Sequence, residues 1–206
     1  MKRRFLIDTH KGVTGAVILA LIAVYQQWQN PTAWIYLALH GTYGILWVLK
    51  SRIFPDRSWE QGASRFDVVY FWGGMTLYWV APWLLVLRAV VAPPWYAALC
   101  ISLFGFGVLL HFATDMQKHV ALQLEPGRLI TSGLFARCRN MNYFGELLIY
   151  LSFALLAMHW IPLLILVSVI VVVWLPNMRR KDRSLARYPE FEAYRRRSKL
   201  FIPFLF

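Results

Sequence analysis

Six apolar runs, about residues 13–27, 33–49, 67–87, 93–112, 143–158 and 160–175, dominate this chain of 206 residues. A membrane-crossing helix needs about 20 mostly apolar residues for a hydrocarbon core about 30 Å thick. The first, second and last two runs are short by that measure and rely on interfacial aromatics to complete a span. Composition agrees: 59% of residues are hydrophobic, 17% aromatic and only 16% charged, where soluble domains carry about 25% charged residues. The expected fold is an all-α integral membrane protein of about six transmembrane helices, ending in a helical hairpin and an amphipathic tail.

The charges sort by connection. The net charge is +12, which on a soluble face would suggest nucleic acid. Here the basic residues are interleaved with spans, so nucleic-acid binding is set aside in favour of topology and lipid headgroups. Of 22 Lys and Arg, only Arg88 lies in the connections near 28–32, 88–94 and 159–162. The others cluster in the N-terminus, the 50–66 loop, the 113–142 segment and the tail. Both termini and both long loops are therefore expected on the cytoplasmic side.

Asn30-Pro31 separates the first two runs, Pro93-Pro94 the third and fourth, and His159, Trp160 and Pro162 turn the last hairpin. The basic N-terminus leads into a retained first span rather than a cleaved signal peptide. Cys100 and Cys138 show no metal-binding spacing and are expected to be unpaired thiols, so no metal is anticipated. The chain reads as residues 1–112, a four-span region with a lipid cavity, and 113–206, a cofactor-binding segment with the terminal hairpin and tail. In the 50–66 loop, Asp56, Arg57 and Glu60 form either a solvated salt-bridge cluster or the rim of a substrate entrance.

The polar interval from Asp115 to Glu146 carries Lys118, Glu125, Arg128, Arg137 and Arg139, then Asn142 and Tyr143. With a helix starting near Asn140 or Asn142, Asn142 and Glu146 share a face one turn apart. A charge at that depth costs on the order of 2.5–3.5 kcal/mol, so Glu146 needs a partner. Capping explains Asn142 but not Glu146. Arg128, Arg137 and Arg139 lie at one end of the last hairpin, and Arg179, Arg180, Lys181, Arg183 and Arg187 at the other. Arginine forks suit bidentate phosphate contacts, so together they read as a site for a phosphate-bearing cofactor. Positive-inside topology is the simpler alternative, above all for Arg195, Arg196 and Arg197. No Gly-rich dinucleotide or P-loop motif is present. Tyr188, Phe191 and Tyr194 interleave aromatics with the tail's charges, as an amphipathic segment lying on the site or an interfacial anchor.

Within the spans, His40 and Tyr43 share a face of the second helix, and Tyr70 and Tyr78 lie on the third. Such groups can hydrogen-bond a substrate carbonyl and deliver a proton, or pack without chemical consequence. Gly41, Gly44, Gly73 and Gly74 are expected to let the second and third spans pack closely.

The blocks TDMQKHVALQLEPG and SGLFARCRNMNYFGELL, with the ending EAYRRRSKLFIPFLF, resemble the C-terminal domain of steroid 5-alpha-reductases over about residues 110–206. Arg139-Asn140-Met141-Asn142-Tyr143 is also similar to the R-[HN]-P-N-Y box of sterol reductases, with Met141 in the proline position. The resemblance implies a membrane enzyme that uses NADPH to reduce a carbon–carbon double bond conjugated to a carbonyl in a steroid-like or other lipid. It places Asp115, Arg128, Asn142, Tyr143, Glu146 and Tyr194 at the NADPH site, with Arg183 and Arg187 as looser matches and Arg139 among the phosphate contacts. No glutamate in the second span matches the family's carbonyl anchor; His40 or Glu60 are the available substitutes. Tyr43, Tyr78 and Glu146 are the catalytic candidates. Partners are then a lipid substrate and the bilayer, with no protein partner evident.

Two other classes stay open. An S-adenosylmethionine-dependent membrane methyltransferase of the isoprenylcysteine or phospholipid type shares a similar scaffold and would use Glu190 and Glu192, but its cofactor has no phosphate to engage the arginines. A non-enzymatic lipid-binding membrane protein would leave Glu146 unexplained.

Overall fold

The computed structural model describes residues 1–206, the side chains of Arg57 and Ser58 excepted. Six principal helices follow in order: α1 (Arg3–Val24), α2 (Pro31–Ile53), α3 (Arg65–Leu87), α4 (Pro94–Leu124), α5 (Met141–Leu156) and α6 (Trp160–Leu185). A short helix α7 (Phe191–Arg197) lies in the tail. All of the first six except α5 are long and apolar enough to cross a membrane. At 16 residues α5 spans about 24 Å, at 1.5 Å per residue. The protein is an all-helical, multi-pass integral membrane protein.

Local chemistry explains the helix boundaries. Asn30 caps α2, its Oδ1 accepting from the Thr32 and Ala33 amides at 3.0 and 3.3 Å, with Pro31 in the first helical position. Its amide also donates to Val90 O at 3.1 Å, which ties the turn after α1 to the turn after α3. Pro82 removes an N–H and crowds the carbonyl four residues back, and just upstream α3 tightens into a 3-10 turn at Leu77–Trp79. Pro176 stands in the same way behind the π-turn Ile170–Trp174 of α6.

Three helices outrun their apolar stretches. α1 starts at Arg3 rather than near residue 13, α4 continues to Leu124 past Asp115 and Lys118, and α6 runs through the basic MRRKDRSL segment to Leu185. Helix propensity does not stop where hydrophobicity does. Nothing in QKHVALQL breaks a helix until Pro126-Gly127, where Gly127 takes a φ of +84°. The polar interval is thus half helix, and its loop begins only at Glu125.

The chain divides into two compact units. One comprises Met1–Phe104 with Tyr150–Ile165, the other Gly105–Ile149 with Leu166–Phe206. In the first unit, the expectation that Gly41 and Gly44 face α3 is corrected. A Cβ on Gly41 would lie 3.5 Å from Gly15, and one on Gly44 only 2.2 Å from the Lys11 carbonyl, so both glycines serve the α1–α2 contact. Gly73 and Gly74 meet nothing within 4 Å. Small residues let two backbones approach, and α1 is the helix that does so here. In the 50–66 loop, Glu60 accepts from Lys2 and Arg4 at 2.6 and 2.7 Å, a salt-bridge cluster. The hydrogen bond from Lys2, with Arg4 close by, holds its carboxyl below the usual range. The Arg57 side chain, expected in that cluster, lies outside the described residues.

Candidate functional site

In the first unit a lysine is buried among tyrosines. Because Gly44 has no side chain, α1 and α2 approach closely enough to place Lys11, 7% exposed, against the aromatic face of α2. Its Nζ donates to Tyr150 Oη at 2.9 Å and Tyr43 Oη at 3.3 Å, and lies 3.9 Å from the Trp47 ring centroid. Tyr78 stacks on Tyr150 with centroids 4.1 Å apart. Around them His40 meets the Tyr36 hydroxyl at 3.2 Å and stacks on Phe153, while His10 stacks on Trp79 and meets the Thr76 hydroxyl at 3.3 Å. These groups enclose a cavity of about 10 Å³ lined chiefly by His10, Lys11, His40, Tyr43, Tyr78 and Tyr150. That is room for one water or one carbonyl oxygen, not for a whole lipid. A polar chain of this kind inside spans is costly unless its members satisfy one another. Chemically it presents hydroxyl donors backed by a positive charge, which suits an oxygen that gains negative charge.

In the second unit, α4 and α5 pack at glycines: a Cβ on Gly145 would come within 2.5 Å of the His111 amide, and one on Gly107 within 2.7 Å of Gly145 O. His111 Nδ1 sits 3.1 Å from Asn142 O. A backbone carbonyl only accepts, so Nδ1 carries the hydrogen and Nε2 faces Asp115, 3.9 Å away. The side-chain Oδ1 of Asn142 is buried and has no hydrogen-bond partner. Tyr143 packs edge-on to Trp174, and Glu146 is half-buried on the same helix.

The basic loop and the tail are laced together. Arg139, 6% exposed, sends Nε and Nη2 to the Asp182 carboxylate at 3.0–3.1 Å and Nη1 to Ser198 O at 2.6 Å. Backbone bonds join Arg139 N to Lys199 O and Lys199 N to Arg137 O, both at 2.9 Å. Lys181 donates to Arg139 O and Asn140 Oδ1, and Asn140 Nδ2 to Leu200 O. Tyr194 donates to Phe135 O at 2.7 Å, and burial pushes its phenol up to about 12. Leu129, Phe191 and Tyr194 form a small core onto which Leu185 and Tyr188 pack. Outside it, Arg128 pairs with Glu125 at 2.7 Å beside a surface cavity of about 240 Å³, and Arg183 and Arg187 are exposed.

The family described as 3-oxo-5-alpha-steroid 4-dehydrogenase matches residues 63–206, well over half of the chain. The chain belongs to that family. It is a membrane oxidoreductase of the steroid 5-alpha-reductase kind. A search of curated proteins returns no match. The family match reaches back beyond the resemblance at 110–206 and so takes in Tyr78 as well as Tyr150, whereas Lys11, His40 and Tyr43 precede it.

Among the residues singled out from sequence, Tyr43, Tyr78 and His40 meet at one cavity in the first unit. Glu60 is elsewhere, in its surface cluster with Lys2 and Arg4. In the second unit Asp115, Asn142 and His111 form one group. Arg139 and Tyr194 are engaged with the loop and tail, and Arg128, Arg183 and Arg187 lie at the surface. Sequence reasoning missed Lys11, Tyr150, His111 and Asp182. Tyr150 was within reach, since Asn142, Glu146 and Tyr150 recur every four residues, but nothing local distinguished Lys11 from its basic N-terminal neighbours.

Proposed function

We propose that the protein is an NADPH-dependent reductase of a carbon–carbon double bond conjugated to a carbonyl, acting on a steroid-like or other lipid. The observation that carries this reading is the buried cluster in which Lys11 donates to Tyr43 and Tyr150 and Tyr78 stacks on Tyr150. A conjugated double bond is reduced by adding a hydride at the far carbon, which moves electron density onto the carbonyl oxygen. Hydroxyl donors held beside a cation stabilise that oxygen, and a tyrosine can return a proton to it.

The cofactor is assigned to residues of the second unit. Asn142 Oδ1, buried without a partner, is suited to accept from a carboxamide such as that of nicotinamide, with Glu146 one turn further on. Arg128, Arg183 and Arg187 are surface arginines suited to phosphates, which would displace the exposed contacts of Arg128 with Glu125 and of Arg187 with Ser184 and Tyr188, and Tyr143 and Asp115 are assigned to the same cofactor. Arg139 holds the wall on which they stand, since its fork is closed on Asp182. Bound there, NADPH would supply the hydride. Residues 1–112 are assigned to the lipid, 113–206 to the cofactor, and both termini to the cytoplasm, where NADPH is available.

Purified full-length protein titrated with NADPH and, separately, with S-adenosylmethionine tests this. The expected result is thermal stabilisation by NADPH, and oxidation of NADPH when a lipid enone is added. Stabilisation by the methyl donor alone overturns the reading.

A further inference from the structure

α4 is longer than the hydrocarbon core of a bilayer is thick. Its 31 residues make a rod about 46 Å long at 1.5 Å per residue, against a core of about 30 Å. Standing upright, it would carry its last turns, residues 115–124, clear of the acyl chains. The side chains on those turns argue against that posture.

Phe106, Leu109, Met116, Val120 and Leu124, all in the second unit, are exposed, Leu124 at 77%. At about 100° per residue they fall within an arc of about 80° on the helix. Ala113 fills the gap between Leu109 and Met116 on the same line. One apolar stripe therefore runs, with no polar break, from the membrane-crossing part of α4 into the turns beyond it. On the other side of those turns stand His111 and Asp115, with side chains only 3% and 14% exposed. The stripe ends at a charged rim, where exposed Glu125 and Arg128 pair at 2.7 Å across the Pro126-Gly127 turn.

Continuity says what covers the stripe. Phe106 and Leu109 face outward on a membrane-crossing helix, so acyl chains cover them. Met116, Val120 and Leu124 prolong the same line. An apolar stripe bounded by charge is the pattern of helices that lie at the boundary between acyl chains and headgroups. The exposed ion pair suits a headgroup layer that carries both signs of charge. A long helix keeps such a stripe in lipid by tilting, at a modest cost per ångström of mismatch.

We propose that turns 116–124 of α4 dock on the bilayer itself, with Met116, Val120 and Leu124 toward the acyl chains. The docked turns hold His111 and Asp115, on their protein-facing side, at the depth of the headgroups. The surface is defined without reference to any cofactor or substrate.

The test is spin-label accessibility in full-length protein reconstituted in phosphatidylcholine vesicles. Nitroxides are placed at Met116→Cys, Val120→Cys and Leu124→Cys, and at Leu122→Cys, which is exposed but lies off the stripe. Cys100 and Cys138 are buried, and the unsubstituted chain measures their background labelling. Oxygen, which concentrates in lipid, is expected to relax the three stripe labels severalfold more than a water-soluble nickel chelate does, with the reverse at Leu122→Cys. Adding Val120→Asp should raise nickel access at a Leu124→Cys label severalfold, as the charge draws these turns out of the lipid. Nickel access at the stripe equal to that at Leu122→Cys means that the turns stand in water, and the proposal falls. Spin–spin broadening at the stripe that unlabelled protein dilutes away means that a second copy covers the face, and the proposal falls equally. Thermal unfolding identifies any variant that fails to fold, and the comparison of oxygen with nickel at the remaining stripe positions then decides.

Discussion

Arg139 closes its guanidinium on the carboxylate of Asp182, with Nε 3.1 Å from Oδ1 and Nη2 3.0 Å from Oδ2. Their side chains are 6% and 17% exposed, so neither charge has much water to fall back on. Removing one partner of such a pair costs about 3–5 kcal/mol, because the other charge is stranded. Arg139→Ala should therefore lower the thermal unfolding temperature strongly. Arg139→Lys should fall between, since it keeps the charge and loses the fork. An unaltered melting temperature in Arg139→Ala would contradict the bracing role.

Tyr194 makes a pH prediction of definite sign. Its phenol titrates at about 12 in the folded protein against 10.0 for an ordinary tyrosine, because burial disfavours the phenolate. Below pH 10 the protonated form prevails in both states and the contribution is complete. As the pH rises from 10 through 12 the unfolded chain ionises first, so stability drains away. Thermal melts across that interval should show the decline in the wild type and less of it in Tyr194→Phe. At neutral pH the same substitution should cost about 1–3 kcal/mol, since the Phe135 carbonyl loses its donor.

Two glycine substitutions should differ sharply. A Cβ on Gly44 would sit 2.2 Å from the Lys11 carbonyl, so Gly44→Ala must push α1 away from α2. The expected cost is about 1–3 kcal/mol or more. Gly73→Ala meets open space and should be neutral or stabilising by up to about 1 kcal/mol through helix propensity. Melting temperatures in the opposite order would refute the assignment of these glycines.

Asn142 separates binding from stability. Its Oδ1 is already buried without a partner, so Asn142→Leu removes an uncompensated acceptor and should leave thermal stability unchanged or slightly raised. NADPH affinity, measured by fluorescence titration, should fall about tenfold, a loss near 1.4 kcal/mol. Unchanged affinity would remove Asn142 from the cofactor site.

Much of the site was legible in the residues, though not its internal wiring. The stripe Tyr36, His40, Tyr43 and Trp47 recurs at helical spacing on α2, so its shared face could be read directly. Gly44 could also be read as a packing glycine, but its partner helix could not, because a glycine reports that something comes close without saying what. Arg139 shows the same limit. Its type and neighbours suit phosphate, and only the position of Asp182, 43 residues away, reveals where its fork is committed.

By itself the sequence determined the helical membrane class, the turns at Asn30, Pro93 and His159, the sorting of charge between connections, and the blocks that mark the family. Each follows from local hydrophobicity, charge or backbone chemistry, which neighbouring residues express without help from the rest of the chain. Only the tertiary structure decided that Lys11, Tyr43, Tyr78 and Tyr150 share one cavity and that Arg139 is a brace. The first depends on how closely α1 and α2 approach at Gly44, the second on Asp182 coming to lie against a residue 43 positions earlier in the chain. Close approach depends on the shapes of two helices at once, and no single stretch of chain encodes it.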